Sequence, residues 1–318
     1  MNKKIIVIMF PDKKGGVRSF CESIADGFEI LGYKVLLCNN YFSAIYYWLR
    51  YWANVMFITN LNYCIFGFFK KKSIFILHGY PRYDVAGFKK YIKVFLGHQV
   101  GVISNRKCVA VSRLVNIVNL HYFGIKTDKV IYNPVRKNFL KKNLSIIKEK
   151  KDIITYIGRI EKEKNIENII IAFQCSNIIK NNFSLIICGD GSQLEYMKSK
   201  YSNSNIQFKG YLEINMVRDI LSKSKIFISL SDFEPFGISI AEAAMLNNYI
   251  VTTPTTGIIE ILPQLNYKLV KNPDNIDEIK NAIDQCIHHI DDYKSNVNFD
   301  NDLSPINVAK QYLSLFHD

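Results

Sequence analysis

Two successive blocks of short apolar runs alternating with helix-length segments predict an α/β chain of two Rossmann-like domains, with parallel sheets facing a central cleft. The 318-residue length suits two cores rather than one, and a hydrophobic content of 48% excludes a disordered chain. In the first block, strands are expected at Lys4–Phe10, Lys34–Cys38, Val55–Thr59, Ser73–Leu77, Lys107–Val111 and Lys129–Tyr132, with a helix from Gly15-Gly16 to about Leu31. The segment Asn133–Asp152 carries Pro134, clustered Lys and little periodicity, and reads as an interdomain linker. Alternation then resumes with strands at Ile153–Ile157, Phe183–Cys188, Ile206–Phe208, Ile226–Leu230 and Tyr249–Thr253. Helices are expected between them near 165–179, 192–200, 215–222 and 237–246. The domains are placed at 1–140 and 141–304, and a final helix at 305–318 is expected to return to the first domain.

Charge is unevenly divided. Residues 1–142 hold 23 Lys and Arg against 6 Asp and Glu, whereas the remainder holds 18 against 22. A field this lopsided attracts anionic surfaces, and the alternative is a solvated basic face. Lys70–Lys72 and the run Lys89, Lys90 and Lys93 point to docking on an anionic membrane. Trp52–Phe69 is uncharged over 18 residues, yet Asn54, Asn60 and Asn62 interrupt it, so a buried strand followed by a helix is preferred to a membrane span. The Tyr- and Trp-rich run Tyr41–Trp52 reads equally as a packed helix or one lying at a membrane surface. No interleaved aromatic-basic motif or helix-turn-helix pattern is present, which argues against a nucleic-acid partner. The seven Cys include no CxxC pair and lie mostly in apolar runs, so they read as free thiols in a reducing compartment, with no metal site.

Four constellations carry candidate chemistry. The first is Ser231-Asp232-Phe233-Glu234-Pro235-Phe236-Gly237-Ile238, between a strand and a helix that carries Glu242. Free amides at that helix start form an anion site, and Gly237 lets a ligand approach the backbone. Glu234 can accept hydrogen bonds from sugar hydroxyls, and Glu242, in an apolar stretch, needs a partner such as a ribose diol. The alternatives are a helix N-terminal charge and a salt-bridged core edge. The second constellation is Gly158-Arg159-Ile160…Lys164, where two cations can stabilise the charge growing on a diphosphate leaving group. The third is Gly15-Gly16, which can bring amides to phosphate or acceptor and otherwise forms a plain turn. In the fourth, His78 ends an apolar strand, where an imidazole is as often structural as functional. Gly189-Asp190-Gly191-Ser192 reads as a strand-to-helix turn with Ser192 as cap and no required ligand contact.

The ordered set resembles the large retaining glycosyltransferase family 4, with its GT-B fold and Glu-x7-Glu motif. The matching elements are Glu234 and Glu242, Gly158-Arg159-Ile160…Lys164, Gly189-Asp190-Gly191 and Thr256-Gly257-Ile258-Ile259-Glu260. Gly15-Gly16-Val17, His78-Gly79 and Val109-Ala110-Val111-Ser112 fall in the expected order before them. The resemblance implies a retaining, metal-independent hexosyltransferase that needs no cofactor beyond its nucleotide-sugar donor. By it, Arg159 and Lys164 bind the donor diphosphate, Glu234 the sugar hydroxyls, Glu242 the ribose, and His78 the transferred sugar; Gly15, Gly16, Gly158, Phe236, Gly237 and Ile238 line the donor. The acceptor is expected to be a glycan or lipid-linked hydroxyl of surface-polysaccharide synthesis, met in the cytoplasm or at the inner face of the membrane. A GT-B nucleotide-sugar epimerase and a non-catalytic membrane or polyanion binder are the alternatives. Three departures stand out: Thr256 for the first Gly of a Gly-Gly loop, Asn247-Asn248 for a Gly after the motif helix, and Asn133-Pro134-Val135 for Asn-Gly-Val.

Overall fold

The computed structural model describes residues 4–12, 15–51, 55–80, 83–140, 149–176, 179, 182–263, 267–288, 299 and 301–316. Two compact units emerge, one of Met1–Lys137 with Asp300–Asp318 and one of Asn138–Phe299. Each holds one six-stranded sheet whose pairings are all parallel, the sheet of a Rossmann-like domain.

In the first unit the strands are β1 (Ile5–Met9), β2 (Lys34–Cys38), β3 (Val55–Thr59), β4 (Lys72–Leu77), β5 (Lys107–Ala110) and β6 (Lys129–Val130), in the order β2-β1-β3-β4-β5-β6. Runs such as Val-Met-Phe-Ile-Thr in β3 are buried throughout, as a sheet covered on both faces requires. The helices are α1 (Gly16–Ile30), α2 (Tyr41–Arg50), α3 (Tyr83–Ser104) and α4 (Arg113–Phe123). The helix expected after β3 is a 3-10 segment, Leu61–Gly67.

In the second unit β7 (Lys151–Ile157), β8 (Ser184–Cys188), β9 (Ile206–Gly210), β10 (Ser224–Ser229), β11 (Tyr249–Thr252) and β12 (Tyr267–Leu269) form the order β12-β11-β10-β7-β8-β9. Its helices are α5 (Ile166–Cys175), α6 (Leu194–Tyr201), α7 (Ile214–Lys223), α8 (Ile238–Met245) and α9 (Ile276–His288). One core of aliphatic and aromatic side chains, from Ile154 to Cys286, runs between sheet and helices. Asn247 takes φ 61 after α8, and Asn248 N donates to Ala243 O at 3.0 Å, so Asn supplies the left-handed cap usually given by Gly.

The last helix, α10 (Pro305–Ser314), packs on α1. A Cβ on Gly27 would fall 2.0 Å from Pro305 O, so the contact is backbone against backbone. The supposed linker is only partly one. Val135, Phe139 and Leu140 are buried, and Val135 N donates to Leu303 O at 2.9 Å; residues 141–148 lie outside the described residues. Trp52 and Asn54, read in the uncharged stretch, lie outside them too.

Candidate active site

Ligands of parallel sheets bind beyond the carboxyl ends of the strands, and the second unit's candidate residues are placed there by three loops. The loop after β7 is seated on the loop after β8 by paired backbone bonds. Gly158 N donates to Cys188 O (3.1 Å), Ile160 N to Asp190 O (2.9 Å) and Gln193 N to Ile160 O (3.1 Å). A Cβ on Gly189 would lie 1.8 Å from Gly158 O, and one on Gly191 2.3 Å from Ile160 O. Gly189-Asp190-Gly191 is therefore glycine-rich so that the Arg159 loop can lie directly on it. Ser192 is not the helix cap: Gln193 holds that position, and Ser192 Oγ donates to Glu161 Oε2 at 2.5 Å.

The first loop then carries Lys164 to Glu234. Lys164 Nζ donates to Glu234 Oε2 at 2.9 Å and to Ser231 Oγ at 3.1 Å, with the two charged side chains only 12% and 24% exposed. Asn165, held at φ 54, donates to Leu230 O (2.8 Å) and Asp232 Oδ1 (2.7 Å). Asp232 N donates to Glu163 O at 3.0 Å, so three successive residues of the β7 loop clamp the loop after β10. Arg159 Nη2 donates to Glu163 Oε1 at 3.1 Å, and its side chain stays 54% exposed. Beneath them Tyr156 is buried, with its hydroxyl donating to Arg159 O at 2.7 Å. Burial foremost, then the charge of Glu234, pushes that phenol well above its ordinary range, while Arg159 acts against the shift. The same hydroxyl thus feels both site charges.

The third loop opens α8. Gly237 sits at φ 94 and its carbonyl accepts from Ile240 N (3.1 Å) and Ala241 N (3.0 Å). That leaves Ile238 and Ser239 amides in the first turn, where a helix has no carbonyl of its own to offer. Glu234 N donates to Thr255 O (2.9 Å), Gly257 N to Glu234 O (3.0 Å) and Ile258 N to Phe236 O (2.7 Å), which fixes the loop to the segment after β11. Thr256, in place of Gly, is buried with its hydroxyl against Thr252 Oγ1 (3.1 Å) and Thr253 Oγ1 (3.3 Å). Phe236 is core, 1% exposed, with its carbonyl accepting from Ile258 N, so its ring does not face a ligand. Glu242 is 0% exposed inside α8, and the bonds that join Lys164, Ser231 and Glu234 do not include it.

Gly15, Gly16 and His78 belong to the first unit. Gly15 and Gly16 are exposed at the start of α1, with open space where a Cβ would be. His78 follows β4 with its ring 4.9 Å from that of Phe20, and its buried Nε2 has no partner among the described residues. Burial, then the neighbouring His98, pushes its pKa down to about 3, so the imidazole is neutral. Sequence reasoning missed what holds this corner. His98 Nδ1 lies 3.3 Å from Asn119 Oδ1, and Asn119 Nδ2 donates to Gly79 O (3.0 Å) and Val115 O (2.8 Å). Asn119 and His98 were legible only as polar residues in apolar helices. Lys70, expected on the basic surface, is instead 1% exposed: its ammonium donates to Trp48 O and, at 2.8 Å, to Tyr51 O, ending α2. Among the described residues no three His, Cys, Asp or Glu converge to hold a metal.

Residues 138–300 match the family profile of glycosyl transferases group 1. An uncharacterized glycosyltransferase of Methanocaldococcus jannaschii is 28% identical over 241 residues, covering 70% of this chain and 60% of that protein. The phosphatidylinositol N-acetylglucosaminyltransferase gpi3 subunit of Schizosaccharomyces pombe is 28% identical over 152 residues, 45% of this chain and 33% of its own length. The chain therefore spans 60% of the first relative and a third of the second. In fold, the crystal structure of Anabaena HepE with UDP and glucose superposes with a TM-score of 0.75 at 15% identity, covering 100% of both chains. With the profile matching half of its length, this chain belongs to the glycosyl transferases group 1.

Proposed function

We infer that the chain is a retaining, metal-independent hexosyltransferase that takes its sugar from a nucleotide diphosphate donor. The reading rests on one observation: Lys164 is held against Glu234 at 2.9 Å, while Arg159 stands exposed on the same loop as Lys164. Two cations and the open start of α8 suit a diphosphate, and a carboxylate beside them suits sugar hydroxyls. The bond from the sugar's anomeric carbon to the diphosphate oxygen breaks, and the acceptor oxygen bonds to that carbon from the same face. The acceptor proton passes to the departing phosphate, so no protein nucleophile is needed. Lys164, Arg159 and the Ile238 and Ser239 amides offset the charge left behind, which is the work a metal would otherwise do.

Gly158 and Gly237 keep backbone close to the donor, and Phe236 and Ile238 contribute through main-chain groups. Glu242 is assigned to the ribose; being enclosed, it reaches that diol only if the α8 entrance shifts. His78, neutral and with no partner for its Nε2 among the described residues, has the chemistry to bond a sugar hydroxyl, and Gly15 and Gly16 to bring amides to a phosphate or acceptor. HepE was solved with UDP and glucose, and the gpi3 relative is named for a phosphatidylinositol acceptor. A UDP-linked hexose and a lipid-linked hydroxyl at the inner face of the cell membrane are thus the first substrates to try. Incubation with UDP-hexoses and a lipid-linked acceptor in excess chelator tests this. The product is read by mass spectrometry and its anomeric configuration by NMR. Retained configuration with chelator present agrees; inverted configuration, loss of activity in chelator, or an intact donor with an epimerised sugar overturns it.

A further inference from the structure

The outer face of α2 is apolar and uncovered. Of Tyr41–Arg50 only Ala44 is buried. Phe42, Ile45, Tyr46 and Leu49, spaced i, i+3, i+4 and i+7, are 88%, 48%, 59% and 67% exposed. At 1.5 Å per residue they form a stripe roughly 10 Å long. Beside its C-terminal end lies a second apolar feature. Trp48 Nε1 donates to Phe68 O at 3.3 Å, and the next residue, Phe69, is 71% exposed at φ 63. A bulky residue in the left-handed region is strained, so exposed Phe69 sits there against both its backbone and its hydrophobic preference. Buried Lys70 pins this turn to Trp48 O and Tyr51 O.

Around the C-terminal end of this face the charge has one sign, while Asp12, 76% exposed, accepts from Asn39 Nδ2 at 2.8 Å just before the other end. From Ile30 to Tyr83 the chain contains no Asp or Glu. Lys34, Arg50 and Lys71 are exposed there, with Lys72 half-buried. Lys34 begins β2 and Lys72 begins β4, which places them at the amino edge of the parallel sheet. A crossover helix runs antiparallel to its strands, so the Leu49–Arg50 end of α2 reaches that same edge. Aromatic and aliphatic side chains flanked at one end by cations match a bilayer interface, where the former enter the acyl boundary and the latter meet anionic headgroups. A second copy is a poorer occupant, because a two-fold contact would set cation against cation.

We propose that α2 and the Phe68–Phe69 turn dock the N-terminal unit on an anionic bilayer, lying along its surface. Ten residues of helix reach about 15 Å, half of the roughly 30 Å hydrocarbon core, so α2 lies in the interface and does not cross it. The proposal deepens, and takes its purpose from, the reading of the acceptor as lipid-linked.

Flotation of the full chain with vesicles of phosphatidylglycerol and phosphatidylcholine, at about 0.15 M salt, tests it without donor or acceptor. The chain floats with these vesicles and far less with phosphatidylcholine alone. Phe42→Ser with Leu49→Ser weakens binding about tenfold or more, Phe69→Ser adds to the loss, and Arg50→Gln with Lys71→Gln flattens the salt dependence. These side chains are exposed, so circular dichroism melts and turnover on a water-soluble acceptor stay at wild-type values. Absence of wild-type flotation, wild-type binding by Phe42→Ser with Leu49→Ser, or a dimer that the same pair makes monomeric overturns the proposal. Flotation without any sugar transfer would remove the enzymatic reading and leave the surface standing; transfer to a soluble acceptor without flotation would do the reverse.

Discussion

Lys164→Ala separates the structural duty of one ammonium from the catalytic duty proposed for it. Its Nζ meets Glu234 at 2.9 Å and Ser231 at 3.1 Å, with 12% and 24% of the paired side chains exposed. Exposed ion pairs contribute about 0–1 kcal/mol, whereas stripping one partner from a fully buried pair costs about 3–5 kcal/mol. This pair lies between those limits, so the structural cost is about 1–3 kcal/mol, or a fall of about 3–10 °C in the melting temperature of the second unit. The catalytic cost is of different origin. Losing one fixed positive group at a developing oxyanion lowers kcat by about 10²–10³-fold. Donor-dependent nucleotide release measures the second effect, and a thermal melt without ligand measures the first. Lys164→Ala combined with Glu234→Gln should melt closer to wild type than the two single changes add up to, because no carboxylate is then left half-enclosed without its cation. Turnover by Lys164→Ala within about threefold of wild type refutes the electrostatic argument. A full melting loss in the double variant refutes the pairing argument.

Three further outcomes follow from the packing. Gly189→Ala forces a Cβ to 1.8 Å from Gly158 O at φ 141, and should cost about 2–4 kcal/mol by thermal melt and weaken nucleotide binding through the displaced Arg159 loop. Lys150, whose ammonium donates to Leu221 O, Ser224 O and Leu246 O at 3.1, 2.7 and 2.7 Å, closes the ends of α7 and α8; Lys150→Met should cost about 2–3 kcal/mol in urea denaturation. Burial holds His98 down to about 4 and His78 to about 3, below the ordinary value near 6.5. The unfolded chain then binds protons that the folded chain refuses, so stability present above pH 6.5 is lost as pH falls toward 4. Denaturation at pH 7 and pH 5 should differ by roughly 2 kcal/mol per histidine, and His98→Gln should remove about half of the difference.

Much of this fold is legible along the chain because parallel strands buried on both faces leave unbroken apolar runs. Val55–Thr59, Ile153–Ile157 and Ile226–Leu230 were visible for that reason. The short β12 and the amphipathic α9 were not, since Tyr-Lys-Leu is too brief to show a period and α9 follows no recognisable strand. At the candidate site, Lys164 and Glu234 could be named but not joined. Their contact spans 70 residues and depends on Asn165 clamping Leu230 and Asp232. Gly189 and Gly191 read as a turn because close approach to Gly158 and Ile160 has no local signature. Lys70 was misplaced on the surface for a related reason: three Lys in a row give no sign that the first turns inward to α2. Asn119 and His98 serve the His78 corner from distant helices, and nothing in their neighbours in sequence marks them.

Titration calorimetry of nucleoside diphosphates against the full chain, with excess chelator present, bears most directly on the central claim that Arg159, Lys164 and the start of α8 hold a diphosphate. Wild type should bind one nucleoside diphosphate in chelator, and Arg159→Ala with Lys164→Ala should weaken that binding at least about tenfold while the fold persists. Unchanged affinity in that double variant, or no binding of any nucleoside diphosphate by the wild type, would contradict it.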